Sequence, residues 1–154
     1  ETGFVYDSSL TPCPLAGRPG NPRFASRLSW DGRAPDLLEF PPLTFCGPLR
    51  LPAGSWTGRL VNPERLVRAV FDHSEEGGMP VAVVHPWEIS GRPTPGALSG
   101  IAKFIHETGR LSFVPRFREL LRGLPWTSIR TAAGLESLAS IAPLQAVAAS
   151  RRAG

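Results

Sequence analysis

The residues best suited to chemistry are His85-Pro86-Trp87-Glu88, directly after the apolar run Val81-Ala82-Val83-Val84. Imidazole titrates near neutrality, so it can give or take a proton under working conditions, and a nearby carboxylate tunes it. Trp87 adds an apolar wall and Glu88 a carboxylate. Two readings of His85 stand on these residues alone. One is a general acid or base at the carboxyl edge of a sheet; the other is a histidine that plugs a strand end and hydrogen-bonds a loop. Asp7 is the candidate partner, because it follows a second short apolar run, Phe4-Val5-Tyr6. Strands of one parallel sheet would bring both side chains out at the same edge. Carboxylate plus imidazole is the pairing that fixes a tautomer and holds imidazolium charge. The other reading of Asp7-Ser8-Ser9 is an Asx-type turn or a helix cap.

The remaining histidines read as structural. His73 lies in the polar turn Asp72-His73-Ser74-Glu75 and is expected on a solvated surface, while His106 is expected to donate to a backbone carbonyl. The three histidines match no local zinc motif such as HExxH, so zinc bound by this chain alone is not expected. No nucleophile elbow, P-loop or GxGxxG is present. Cys13 and Cys46 form no CxxC and are read as two free buried thiols, with a structural disulfide as the alternative.

Those side chains need elements to hold them. Four β-prone residues before His85 read as a buried strand, and Pro86 stops it there, leaving the imidazole at a rim. Leu37-Leu38-Glu39-Phe40 reads as another strand, broken by Pro41-Pro42 and therefore confined to an edge or a bulge. A helix begins after Asn62 as N-cap, with Pro63 in its first position and Leu66, Val67, Val70 and Phe71 as apolar positions. That helix feeding the His85 strand is an αβ step. A second helix is expected from Val114 or Pro115 to Arg122, with Gly123 as its stop, and Trp126 to Ile129 as a last short strand. Leu135, Leu138 and Ile141 suggest one weak helix, and residues 145–154 a frayed end. Glu1-Thr2-Gly3 reads as a helix end.

Composition sets the limits. The chain has 154 residues with 16 Gly and 17 Pro, and its loops concentrate in residues 11–60, ending near an exposed-looking Trp56. The net charge is +4, yet all basic residues except Lys103 are arginines and they are dispersed, which argues against a nucleic-acid surface. No run approaches the roughly 18 apolar residues of a membrane span. Trp30, Trp56, Trp87 and Trp126 either stack on sugar rings or serve as core and rim residues.

Taken in order, several segments resemble the C-terminal half of a bacterial polysaccharide deacetylase of the NodB-homology family. The likeness is to the subgroup with a C-terminal extension of unassigned function. The segments are Gly3-Phe4-Val5-Tyr6-Asp7-Ser8-Ser9, Leu38-Glu39-Phe40-Pro41, Gly47-Pro48-Leu49-Arg50-Leu51-Pro52, Val84-His85-Pro86-Trp87-Glu88-Ile89, and Phe104-Ile105-His106 with Phe117, Leu120 and Leu121. The resemblance implies an α/β fold: the C-terminal part of a distorted (β/α) barrel of the glycoside hydrolase/deacetylase type, loop-rich and incomplete. It implies barrel sequence over residues 1–89, the extension over 90–131 and a weakly helical or disordered tail over 132–154. The implied reaction is hydrolysis of N-acetyl groups on a sugar polymer with Zn2+ or another divalent metal. His85 would be the general acid, Asp7 its support, and Trp87, Glu88 and Arg50 substrate contacts. The family's Thr-Phe-Asp-Asp, His-Ser-x-x-His and Arg-x-Pro motifs are absent from this chain, so the metal ligands are expected upstream and the chain reads as a fragment. A non-catalytic carbohydrate-binding or assembly module is the alternative. The polymer partner and the cellular compartment are not specified by these residues.

Overall fold

Strands in this chain are short because proline and glycine interrupt nearly every extended run. The computed structural model describes residues 4–29, 37–90, 96 and 98–134. The expected features at residues 1–3 and 145–154, together with Trp30, Leu135, Leu138 and Ile141, lie outside the described residues. The described part is a mixed α/β arrangement. Strand β1 (Tyr6–Asp7) pairs in parallel with β3 (Leu38–Glu39), and β2 (Ser26–Arg27) pairs antiparallel on its other side, in the order β1-β3-β2. The register sets Asp7 opposite Glu39. Beyond the Pro41-Pro42 break, Pro42 forms a parallel bridge with Val81, and Leu43 N–H donates to Val81 O at 2.9 Å. A closed barrel is not formed by the described residues.

Residues 81–84 are not the buried strand their composition suggests. Val81 makes one bridge, Ala82 is exposed and Val83 and Val84 are half-buried. β-Propensity becomes a strand only where neighbours supply donors and acceptors along its length, and here residues 42–43 supply them at one point. Gly54 closes the other approach: a side chain on it would strike Val83 O, so α1 (Ser55–Leu60) sits hard against this segment.

Helix α2 (Pro63–Glu75) forms as its signals require. Asn62 accepts from Glu64 N–H at 3.0 Å, satisfying one orphan donor of the first turn, and Glu64 lies where the helix dipole favours a carboxylate. Its buried stripe is Leu66, Ala69 and His73. The core gathers Leu43, Ala53, Leu66 and Ala69, flanked by Phe45, Val61, Val70 and Leu120.

After α3 (Pro86–Ile89) come α4 (Gly100–Glu107), α5 (Arg110–Gly123) and α6 (Ile129–Ala132). Helix α5 starts earlier than its proline suggests, leaving Pro115 in its interior and Gly123 as its last residue. Burial of Arg110 and Phe113, and stacking of Phe113 on Phe117 at 5.5 Å, outweigh the cost of that proline. Trp126 is not in a strand: its indole N–H donates to Leu120 O at 3.0 Å and covers the end of α5, while Ser128 caps α6. Trp56, expected to be exposed, is half-buried in α1. Both thiols are free, but only Cys13 is buried; Cys46 is exposed. Among the described residues, no helix is long and apolar enough to cross a membrane.

Candidate functional site

His85 is the N-cap of α3, with extended backbone (φ −87°, ψ 144°) and Pro86 in the first helical position. The proline that ends the extended run thus also begins the helix, since its fixed φ suits that position and it has no N–H to satisfy. Glu88, three residues after the cap, turns back and accepts from His85 N–H through Oε2 at 2.8 Å. This is the returning half of a capping box. It leaves the His85 imidazole exposed, lying parallel to the Trp87 ring at 5.7 Å and 9°.

Glu88 does more than cap. Its Oε1 is 3.0 Å from Arg59 Nε, and both side chains are 0% exposed. The guanidinium then spends its other donors on the end of α4. Arg59 Nη1 donates to His106 O (2.9 Å) and Thr108 O (3.0 Å), and Nη2 to Ile105 O (2.7 Å). Those carbonyls are the acceptors a helix leaves open at its C-terminus, where a cation is also favoured by the dipole. Arg59 lies 5.0 Å from the Trp87 ring centroid, and the His106 ring stacks on Trp87 at 3.9 Å. From α5, Arg116 Nη1 donates to Arg59 O at 3.3 Å. Gly109, at φ +71°, has the Arg59 backbone 3.0 Å from where a Cβ would stand. Only glycine meets that conformation and that approach together. Burial pulls the Arg59 guanidinium below its ordinary value while the Glu88 carboxylate opposes it; arginine stays charged regardless.

Glu88 was expected to touch substrate. It is instead sealed inside, one oxygen on Arg59 and the other on a backbone N–H, because a carboxylate buried there needs both partners. Trp87 is likewise engaged, between Arg59 and His106. Among the described residues, His106 Nδ1 is buried without a partner rather than donating to a backbone carbonyl, and the residue contributes its stack on Trp87 and its own carbonyl. Arg50 stands apart at a tight turn, with φ +42° and its N–H on Gly47 O at 3.3 Å.

Asp7 ends β1. Its Oδ1 accepts from Ser8 N–H at 2.9 Å and its Oδ2 from Ser9 Oγ at 2.6 Å, so the carboxylate organises its own turn. Opposite it, Glu39 is fully buried, with Oε1 accepting from Ser9 N–H (3.1 Å) and Leu10 N–H (2.9 Å) and Oε2 unpartnered. Burial first, then the nearby Asp7 charge, push the Glu39 carboxyl up. Asp7 ends the parallel strand β1, and His85 lies four residues beyond the parallel bridge of Val81 with Pro42. No hydrogen bond or ion pair joins them among the described residues.

His73 is not solvated. It is 5% exposed, faces Phe24 at 5.1 Å and has no partner for Nε2 among the described residues. Burial holds its imidazole below the usual value, and Arg23, paired with Glu76 at 2.9 Å, adds to that. Position 73 continues the 66, 69 stripe of α2, and that periodicity was the signal for burial. Arg59 had no comparable signal. A capping-box glutamate after a Pro-marked cap announces a helix start, not the partner of its second oxygen.

Among the described residues, no three His, Cys, Asp or Glu side chains stand together as a metal set. The implied zinc therefore does not fit the residues described. No curated protein and no solved structure matches the chain. A family profile does, over residues 8–134, and the chain belongs to that family, the domain of unknown function DUF3473.

Proposed function

We propose that this chain is the C-terminal part of a metal-dependent polysaccharide deacetylase, with His85 as its general acid. The observation that carries the reading is an exposed imidazole on a pinned backbone at the carboxyl end of a parallel segment. The association of this family with polysaccharide deacetylase-like proteins adds support. Water adds to the amide carbonyl carbon, and the nitrogen of that tetrahedral adduct is too basic to be expelled as an anion. As the C–N bond breaks, the His85 imidazolium hands its proton to that nitrogen, and the amine departs neutral. Trp87 restrains the imidazole plane. Asp7, which ends the parallel strand β1, is the candidate carboxylate support of the imidazole. Any metal is held by residues other than those described, and Arg50 remains a candidate contact for the polymer.

The test is hydrolysis of an N-acetylated sugar oligomer by the full-length protein. His85→Ala is expected to lower kcat by about 10²–10⁴, the usual range for a lost general acid, with metal content unchanged. An unchanged rate removes His85 from the mechanism. A wild-type protein that binds the oligomer without cleaving it would favour the carbohydrate-binding module instead.

A further inference from the structure

We propose that Arg59 and Glu88 are positioning residues for His85. By this inference, α4 and α5 serve the reaction by closing the Arg59 site rather than by touching substrate. The inference rests on the reading of His85 as a proton donor and gives the C-terminal helices a task within it. Its basis is an unbroken chain of contacts. The carbonyls of Ile105, His106 and Thr108 hold the Arg59 guanidinium; Arg59 holds Glu88; Glu88 holds the His85 N–H. Each link is direct, and the Arg59–Glu88 link is sealed from solvent.

The arrangement is costly unless the links are used together. A guanidinium buried without acceptors, or a carboxylate buried without a cation, is strongly disfavoured. The C-terminus of α4 supplies acceptors for the first, and Arg59 satisfies the second. Gly109 and Arg116 at the start and middle of α5 press on the Arg59 backbone, so α5 sets where the guanidinium stands. Trp87 lies against Arg59 on one contact, His106 on another and His85 on a third. The imidazole thus inherits its place from two routes, the cap through Glu88 and the stack through Trp87, and both lead to α4. General-acid catalysis is sensitive to such placement, because the donor must reach the leaving atom within hydrogen-bond distance.

The experiment uses the full-length protein and two conservative variants, Glu88→Gln, which keeps shape without charge, and Arg59→Lys, which keeps charge without the planar fork. Each is assayed on an N-acetylated sugar oligomer and on para-nitrophenyl acetate. The aryl oxide of that ester leaves without a proton, whereas the amine does not. Displacing the acid is expected to slow the amide about 10–100-fold in kcat, with KM within about twofold and the ester rate nearly unchanged. Equal losses on both substrates in variants with wild-type circular dichroism would show a general structural defect and overturn the proposal. A second readout needs no turnover: exchange of the His85 backbone amide, expected to quicken at least about tenfold in both variants. Unchanged exchange overturns the positioning role. If wild type cleaves neither substrate, the deacetylase reading fails, while the exchange measurement still decides whether Arg59 and Glu88 hold His85.

Discussion

The Arg59–Glu88 pair and the His73 pocket are both buried polar centres, and they solve the cost of burial in opposite ways. Arg59 and Glu88 lie against each other as counter-ions, and the end of α4 supplies further acceptors to the guanidinium. His73 has no such partner. Phe24 covers one face, Nε2 has no partner among the described residues, and the cation Arg23 is committed to Glu76. Burial disfavours the charged form of the imidazole there and holds it below its ordinary value. Pairing makes a centre that fixes neighbouring elements; neutralisation makes one that fills space and responds to acid.

Breaking the paired centre is expected to have the largest effect. Arg59→Met leaves Glu88 as an uncompensated buried charge and should cost about 3–5 kcal/mol in urea denaturation. Adding Glu88→Leu should restore about 1–3 kcal/mol, the coupling range of contacting groups. Recovery stays partial because the α4 carbonyls still lack their donor. A double variant whose loss equals the sum of the losses of Arg59→Met and Glu88→Leu alone would mean that the two charges are not coupled.

The unpaired centre should respond to pH instead. The folded protein takes up the His73 proton less readily than the unfolded chain, so stability is whole above the unfolded value of about 6.5. It is lost as pH falls from there towards the depressed folded value, by at most about 1.4 kcal/mol per pH unit for one proton. His73→Leu removes that component. Urea midpoints at about pH 7.5 and about pH 5 should therefore differ less in the variant than in wild type. An identical acid dependence would assign the loss to other groups, with Asp72, Glu75, Glu76 and Arg23 the neighbouring charges to examine.

The smallest effect separates the helix from the pocket. Asn62→Ala removes the cap of α2 and should cost about 1 kcal/mol at every pH, since the hydrogen bond to Glu64 N–H does not titrate in this range. Thermal midpoints across pH would show a uniform offset. An offset confined to low pH would tie the cap to His73.

Much of the local structure was legible. Asn62-Pro63 marked the start of α2, Pro41-Pro42 cut β3 short, and Pro86 ended the run before His85. These are properties of single residues: a missing N–H, a fixed φ, a side chain that reaches its own backbone. Pro115 misled because its propensity was outweighed by the burial of Arg110 and Phe113, which no local rule weighs.

The sequence by itself determined the histidine at an extended segment's end, the proline that exposes it and the glutamate spaced to cap it. It also determined the family, whose profile matches residues 8–134. Only the tertiary structure decided that Glu88 faces inward, that Arg59, 29 positions earlier in the chain, meets it, and that His73 is buried against Phe24. Capping and chain stops act within one turn, so they are written in neighbouring residues. The partner of a buried charge is chosen by which helices pack together, and that choice is made by the whole fold.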